Sequence, residues 1–147
     1  MSETPIQLYP TKIHRLRRGT ETDKRHAPLW QAWGVLETRH GSASDARDVF
    51  QHGIWACAQS SGGQSGGRRC ARLWQAWGVL EAQEGDYAAA RRCFSRALDA
   101  DNRNVAAVTA WTLMEQELGQ YNDAKLIFER KCIRIVFFLR LPNLKTY

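Results

Sequence analysis

A chain of 147 residues has room for about one domain, and 44% apolar with 24% charged residues is the profile of a soluble globular protein rather than a disordered one. No apolar run reaches the roughly 18 residues that span a bilayer; the longest candidate, Ile133 to Leu141, carries Arg134 and Arg140, so membrane insertion is not expected. The net charge of +6 resides in the ends, with +3 on residues 1–28, −1 on residues 29–128 and +4 on residues 129–147, so basicity alone does not single out a polyanion partner.

Residues 1–27 mix Pro5, Pro10 and Gly19 with a basic cluster from Lys12 to Arg18. They read as an irregular basic segment with at most one helical turn around Ile13 to Leu16. The start, Met1-Ser2-Glu3-Thr4-Pro5, lacks the basic-then-apolar order of a secretory signal, and Glu3, Glu21 and Asp23 argue against a transit peptide.

Pro28 suits the first turn of a helix, where its missing N–H costs nothing. The stretch that follows, Leu29-Trp30-Gln31-Ala32-Trp33-Gly34-Val35-Leu36-Glu37, recurs unchanged at Leu73 to Glu81, and an eroded copy runs from Val108 to Glu115. After each copy comes a polar turn at Gly41, Gly85 or Gly119, glycines suited to a left-handed helix cap, and then a second helix that carries Phe50, Phe94 or Phe128.

The second and third copies are displaced by 34 residues, the period of tetratricopeptide helical hairpins. The first and second are displaced by 44, so ten residues are inserted, and the Gly/Ser-rich stretch 59–67 marks the insertion as a loop between hairpins. The expected architecture is all-α: an α-solenoid of about three stacked helix-turn-helix repeats at 28–58, 68–102 and 103–131. In the second repeat Trp74, Trp77 and Gly78 share one face of the first helix, the glycine admitting a neighbouring helix. Ala90, Cys93, Phe94, Ala97 and Leu98 form the matching stripe. A lone hairpin cannot bury both stripes, which makes the tryptophans mainly packing residues.

Residues 132–147 are apolar and basic where a polar cap should close a solenoid. The expectation is a fragment or a faulty gene model that continues into further repeats.

The four cysteines, Cys57, Cys70, Cys93 and Cys132, contain no C-x-x-C pair, so neither a zinc site nor a disulfide framework is expected, and Cys93 reads as a buried reduced thiol. No G-x-S-x-G, H-E-x-x-H or G-x-x-x-x-G-K occurs, and Gly62-Gly63 and Gly66-Gly67 lack the lysine of a phosphate loop. A non-catalytic protein without cofactor is therefore expected.

Glu37, Glu81 and Glu115 stand where the tetratricopeptide pattern has tyrosine. With the aromatic pair before it and Ala-Arg-x-x-Phe after it, this pattern resembles the half-a-tetratricopeptide repeat of RNA-processing proteins. The Leu-Trp-Gln-Ala-Trp-Gly-Val-Leu-Glu phrase is similar to plastid messenger-maturation factors of plants and green algae. The resemblance covers Pro28 to Arg130 and implies an RNA-processing role in a plastid, with the nucleus as the alternative.

From the residues themselves, Glu81 is expected to pair with Arg91 across its own hairpin, Glu37 with Arg47, and Glu115 with Lys125. The concave groove is expected to be lined by first helices, with Gln31, Val35, Thr38 and Arg39, then Arg72, Gln75, Val79, Ala82 and Gln83, then Thr109, Leu113, Gln116 and Glu117. Arg68, Arg69 and Arg72 form the main basic cluster of the body, and Arg91, Arg92 and Arg96 a second. Amides and guanidiniums suit base edges and phosphates of single-stranded RNA. The expected contact residues are Gln31, Arg39, Arg68, Arg69, Arg72, Gln75, Gln83 and Arg92. The alternative is a scaffold whose groove takes a peptide or a partner helix.

Overall fold

The computed structural model describes residues 5–59 and 67–140, with side chains over 8–59 and 67–131. Among them the chain forms seven helices and no strand: α1 (Pro5–Thr22), α2 (Ala27–His40), α3 (Ala43–Gln59), α4 (Gly67–Glu84), α5 (Tyr87–Ala100), α6 (Val105–Glu117) and α7 (Tyr121–Arg140). Three consecutive pairs, α2–α3, α4–α5 and α6–α7, pack side by side. The first helices also touch in a row, α2 on α4 and α4 on α6. Every helix thus meets only its neighbours along the row, as repeated sequence units require.

Local chemistry sets the boundaries. Pro28 lies in the first turn of α2, and His26 Nδ1 accepts the Leu29 N–H at 3.3 Å. Asp86 caps α5 through the Ala89 N–H at 2.9 Å, and Asn104 caps α6 through the Ala107 N–H at 3.1 Å. Gly85 (φ 85°) and Gly119 (φ 75°) adopt the left-handed conformation, and the following N–H groups of Asp86 and Gln120 return to Glu81 O and Glu115 O. Gly41 departs from this expectation, with φ −104°. Its lack of a Cβ serves a different end, because a methyl there would collide with Glu37 Oε2 and stand 2.6 Å from the Tyr9 hydroxyl.

The core follows the repeat code. A Cβ at Gly34 would strike the Phe50 ring, and one at Gly78 would lie 2.7 Å from Phe94 Cε1, so in each of the first two hairpins a glycine of the first helix seats the phenylalanine of the second. Ala90, Cys93, Phe94, Ala97 and Leu98 are all buried. Burial pushes the Cys93 thiol up to about 12, which keeps it protonated. The tryptophan pairs Trp30–Trp33 and Trp74–Trp77 stack at 5.7 and 5.6 Å. Trp55 is the exception to an inward reading of the tryptophans, being 62% exposed.

Two expectations need correction. Residues 1–27 are not irregular: α1 occupies most of them, with Pro10 inside it. Tyr9, Ile13, Leu16 and Thr20 recur at helical spacing and turn toward α2, Thr20 being buried, so packing outweighs the hydrogen bond that Pro10 removes.

The ion pairs do not close single hairpins either. Arg47 of α3 holds Glu81 of α4, with Nε to Oε1 at 2.7 Å and Nη2 to Oε2 at 2.9 Å. Arg91 of α5 holds Glu115 of α6 in the same fork, at 2.6 and 2.8 Å. Each glutamate also accepts the indole N–H of the tryptophan one turn earlier, Trp77 at 2.7 Å and Trp111 at 3.0 Å. Each clasp therefore spans the joint between successive hairpins. Glu37 has the same place in the first pair, where the Tyr9 hydroxyl donates to it at 2.6 Å and Trp33 Nε1 at 3.0 Å. Lys125 meets Glu129 at 3.8 Å instead of Glu115.

Of the expected loop 59–67, Gln59 closes α3 and Gly67 opens α4, while 60–66 lie outside the described residues. The expected tail 132–147 begins inside α7, which continues to Arg140; residues 141–147 lie outside the described residues.

Candidate functional site

The starts of α2 and α4 lie side by side and leave an open groove of about 570 Å³ between them. Asp23, Arg25, His26, Ala27, Pro28 and Gln31 form one wall, and Arg68, Arg69 and Arg72 the other. Four arginines thus face one aspartate. Asp23 is already engaged, its Oδ1 accepting the Arg25 N–H at 3.0 Å. None of the four guanidiniums joins an ion pair among the described residues.

The helix directions add to this charge. The first turns of both α2 and α4 border the groove, and N-terminal turns carry unpaired N–H groups and the positive end of the helix dipole. His26 Nδ1 is committed to capping α2. The Lys24 carbonyl takes the Trp30 indole N–H at 2.9 Å, and the Arg25 carbonyl takes the Cys57 thiol at 3.9 Å. The short link from α1 to α2 is thereby tied to the core on which the groove sits. Such a site offers fork-shaped donors and an amide to an extended anion.

A second groove, of about 450 Å³, lies against α4 and α5. Trp74, Trp77 and Glu81 line it from α4, with Ala89, Arg92, Cys93, Ser95 and Arg96 from α5. The Arg96 guanidinium stands 5.8 Å from the centre of the Trp74 ring, and the Trp74 indole N–H is buried without a hydrogen-bond partner. At 100° per residue, Trp74 and Trp77 point away from Arg72 and Gln75, so the two grooves flank α4 on different sides.

The eight expected contact residues divide accordingly. Gln31, Arg68, Arg69 and Arg72 come together in the first groove. Arg92 lies in the second, with Arg96 beside it. Gln75 is half-buried on the Arg72 side of α4. Arg39 and Gln83 are exposed near the far ends of α2 and α4 and belong to neither groove. Arg91 is taken up by Glu115. Sequence reasoning missed Arg25 and His26; their place immediately before the Pro28 helix start was the available signal, because residues preceding a helix share its N-terminal surface.

Among the described residues no helix is long and apolar enough to cross a membrane. No family model and no curated protein matches this chain.

Proposed function

We propose that the three hairpins are a solenoid of the half-a-tetratricopeptide type that binds single-stranded RNA without catalysis and acts in its processing, maturation or stabilisation. The observation that supports it most is the gathering of Arg25, Arg68, Arg69 and Arg72 with Gln31 around two helix N-termini. Guanidinium forks match phosphate oxygens, and the Gln31 amide offers both a donor and an acceptor to a base edge. The stacked Trp74–Trp77 pair with Arg92 and Arg96 gives the strand a second, partly aromatic contact on the other side of α4.

Gel shifts with short single-stranded RNA test this reading. Changing Arg68, Arg69 and Arg72 to Glu removes binding, and wild-type affinity falls with salt at about −0.7 per neutralised phosphate in log–log slope, about −3 for four contacts. Failure of the wild type to bind at low salt, with intact helical circular dichroism, overturns it.

A second reading, a scaffold for a peptide or partner helix, has one observation in its favour. On α6, Leu113 is 52% exposed beside exposed Thr109, Gln116 and Glu117, a surface without cations. Pull-down with and without ribonuclease separates the two.

A further inference from the structure

Beneath the arginine groove, cysteines from two helices meet. Cys57 stands in the last turn of α3 and Cys70 in the first turn of α4. Both are buried, at 3% and 0% exposure, in the cluster that also holds Phe50 and Leu73. The Cys70 sulfur lies 3.8 Å from the Ile54 carbonyl oxygen, about one turn before Cys57 on α3. A hydrogen bond links the two thiols. Sulfur thus faces sulfur across the contact that joins the first hairpin to the second.

The pair is not symmetrical. The hydrogen bond with Cys70 holds the Cys57 thiol below its ordinary value; burial opposes this, and the Arg69 guanidinium adds to it. The same hydrogen bond, together with burial, pushes Cys70 upward. A thiolate is the nucleophile of sulfur chemistry, and a second thiol beside it resolves the oxidised form into a disulfide. Both residues also lie in terminal turns, which open more readily than helix centres and admit a small oxidant. Cys93 differs: burial pushes its thiol up to about 12, and it lines the second groove instead.

We infer that Cys57 and Cys70 are a modification site, a dithiol that a peroxide converts into a disulfide stapling the end of α3 to the start of α4. The Cys57 thiolate attacks one peroxide oxygen and breaks the O–O bond, becoming a sulfenic acid and releasing hydroxide, which takes up the proton that Cys57 lost. The Cys70 sulfur then attacks the Cys57 sulfur; the S–S bond forms, the S–O bond breaks, and the hydroxyl leaves as water with the Cys70 proton. Two thiols and one hydrogen peroxide thus give one disulfide and two waters, the sulfurs losing the two electrons that the peroxide gains. Cys70 lies between Arg69 and Arg72, and Cys57 Sγ is 3.9 Å from the Arg25 carbonyl oxygen, so the staple sits under both walls of the groove. The inference stands on the sulfurs and makes no use of RNA.

The test uses the full chain, reduced with dithiothreitol, freed of it and treated with hydrogen peroxide in slight excess. Denatured in N-ethylmaleimide, the untreated chain takes up one maleimide on each of its four cysteines. The treated chain takes up two fewer by intact mass, and dithiothreitol restores them. Proteolytic mapping joins Cys57 to Cys70 within one chain. Dimedone, which traps sulfenic acids, separates the roles: Cys70→Ala gives an adduct on Cys57, whereas Cys57→Ala gives none on Cys70. The wild-type map reads the linkage even where a variant fails to fold. A treated chain that keeps all its maleimides overturns the proposal, and so does a bridge to Cys93 or Cys132, a bridge between two chains, or oxidation beyond the sulfenic acid without a bridge. An adduct on Cys70 in place of Cys57 overturns the assignment of the attacking sulfur.

Discussion

The second and third hairpins share a glycine turn and a register, but they bury their phenylalanines and engage their cations differently. In α4–α5, Gly78 seats Phe94 at 1% exposure and Arg91 is closed by the glutamate of the next helix. In α6–α7, Thr112 stands where the register would put a glycine like Gly78, and Phe128 is 54% exposed. The Thr112 hydroxyl is itself buried without a partner, a second cost of the same replacement. A repeat is therefore completed from both sides, by a glycine within its own hairpin and by a carboxylate from the next.

The phenylalanines break this comparison most sharply. Phe94→Ala costs about 3–5 kcal/mol, while Phe128→Ala stays within about 0.5 kcal/mol; urea unfolding of the two variants measures both. The cations come next. Arg91→Ala leaves the buried Glu115 carboxylate with only the Trp111 N–H, at a cost of about 2–3 kcal/mol, below the full range for a broken buried pair because Arg91 is partly in solvent. Lys125→Ala is neutral by the same measurement.

Acid acts on the clasps. The Arg91 fork holds the Glu115 carboxyl below the usual carboxylate range, and the Arg47 fork does the same for Glu81. A lowered folded pKa stabilises above the unfolded value, near 4.3, and that contribution disappears as pH falls through the lowered folded value. Stability thus declines below about pH 4.3, and Glu115→Gln flattens that decline in a urea series across pH. The smallest effect sharpens the comparison instead of breaking it. Thr112→Gly lets Phe128 turn inward, and the apolar area gained outweighs the lower helix propensity by less than about 1 kcal/mol. A net loss greater than the propensity cost would show that another group keeps the ring out.

The hairpins were legible because the packing code repeats. The nine-residue phrase occurs twice, and the stripe from Ala90 to Leu98 follows helical spacing. The first helix was not, since Pro10 and five basic residues from Lys12 to Arg18 and Lys24 hide the Tyr9, Ile13, Leu16 and Thr20 stripe that packs on α2. The clasps were legible as residues but not as partners. Glu81 lies on a helix adjacent to both Arg47 and Arg91, and only the side of α5 on which Arg91 emerges decides which one it meets. The arginine groove was half-visible for a related reason. Gln31 and the cluster from Arg68 to Arg72 belong to different repeats, and stacking brings in Arg25 and His26 from the link that precedes both.

The clasp also bears on how such a chain lengthens. It is a head-to-tail joint, with the arginine on one side and the tryptophan–glutamate pair on the other, so its halves lie at opposite ends of each unit. A tandem duplication of one unit carries a glutamate inward and an arginine outward, and regenerates a complete joint at the new boundary without any compensating substitution. Two identical nine-residue phrases in one chain are what growth by that route would leave behind.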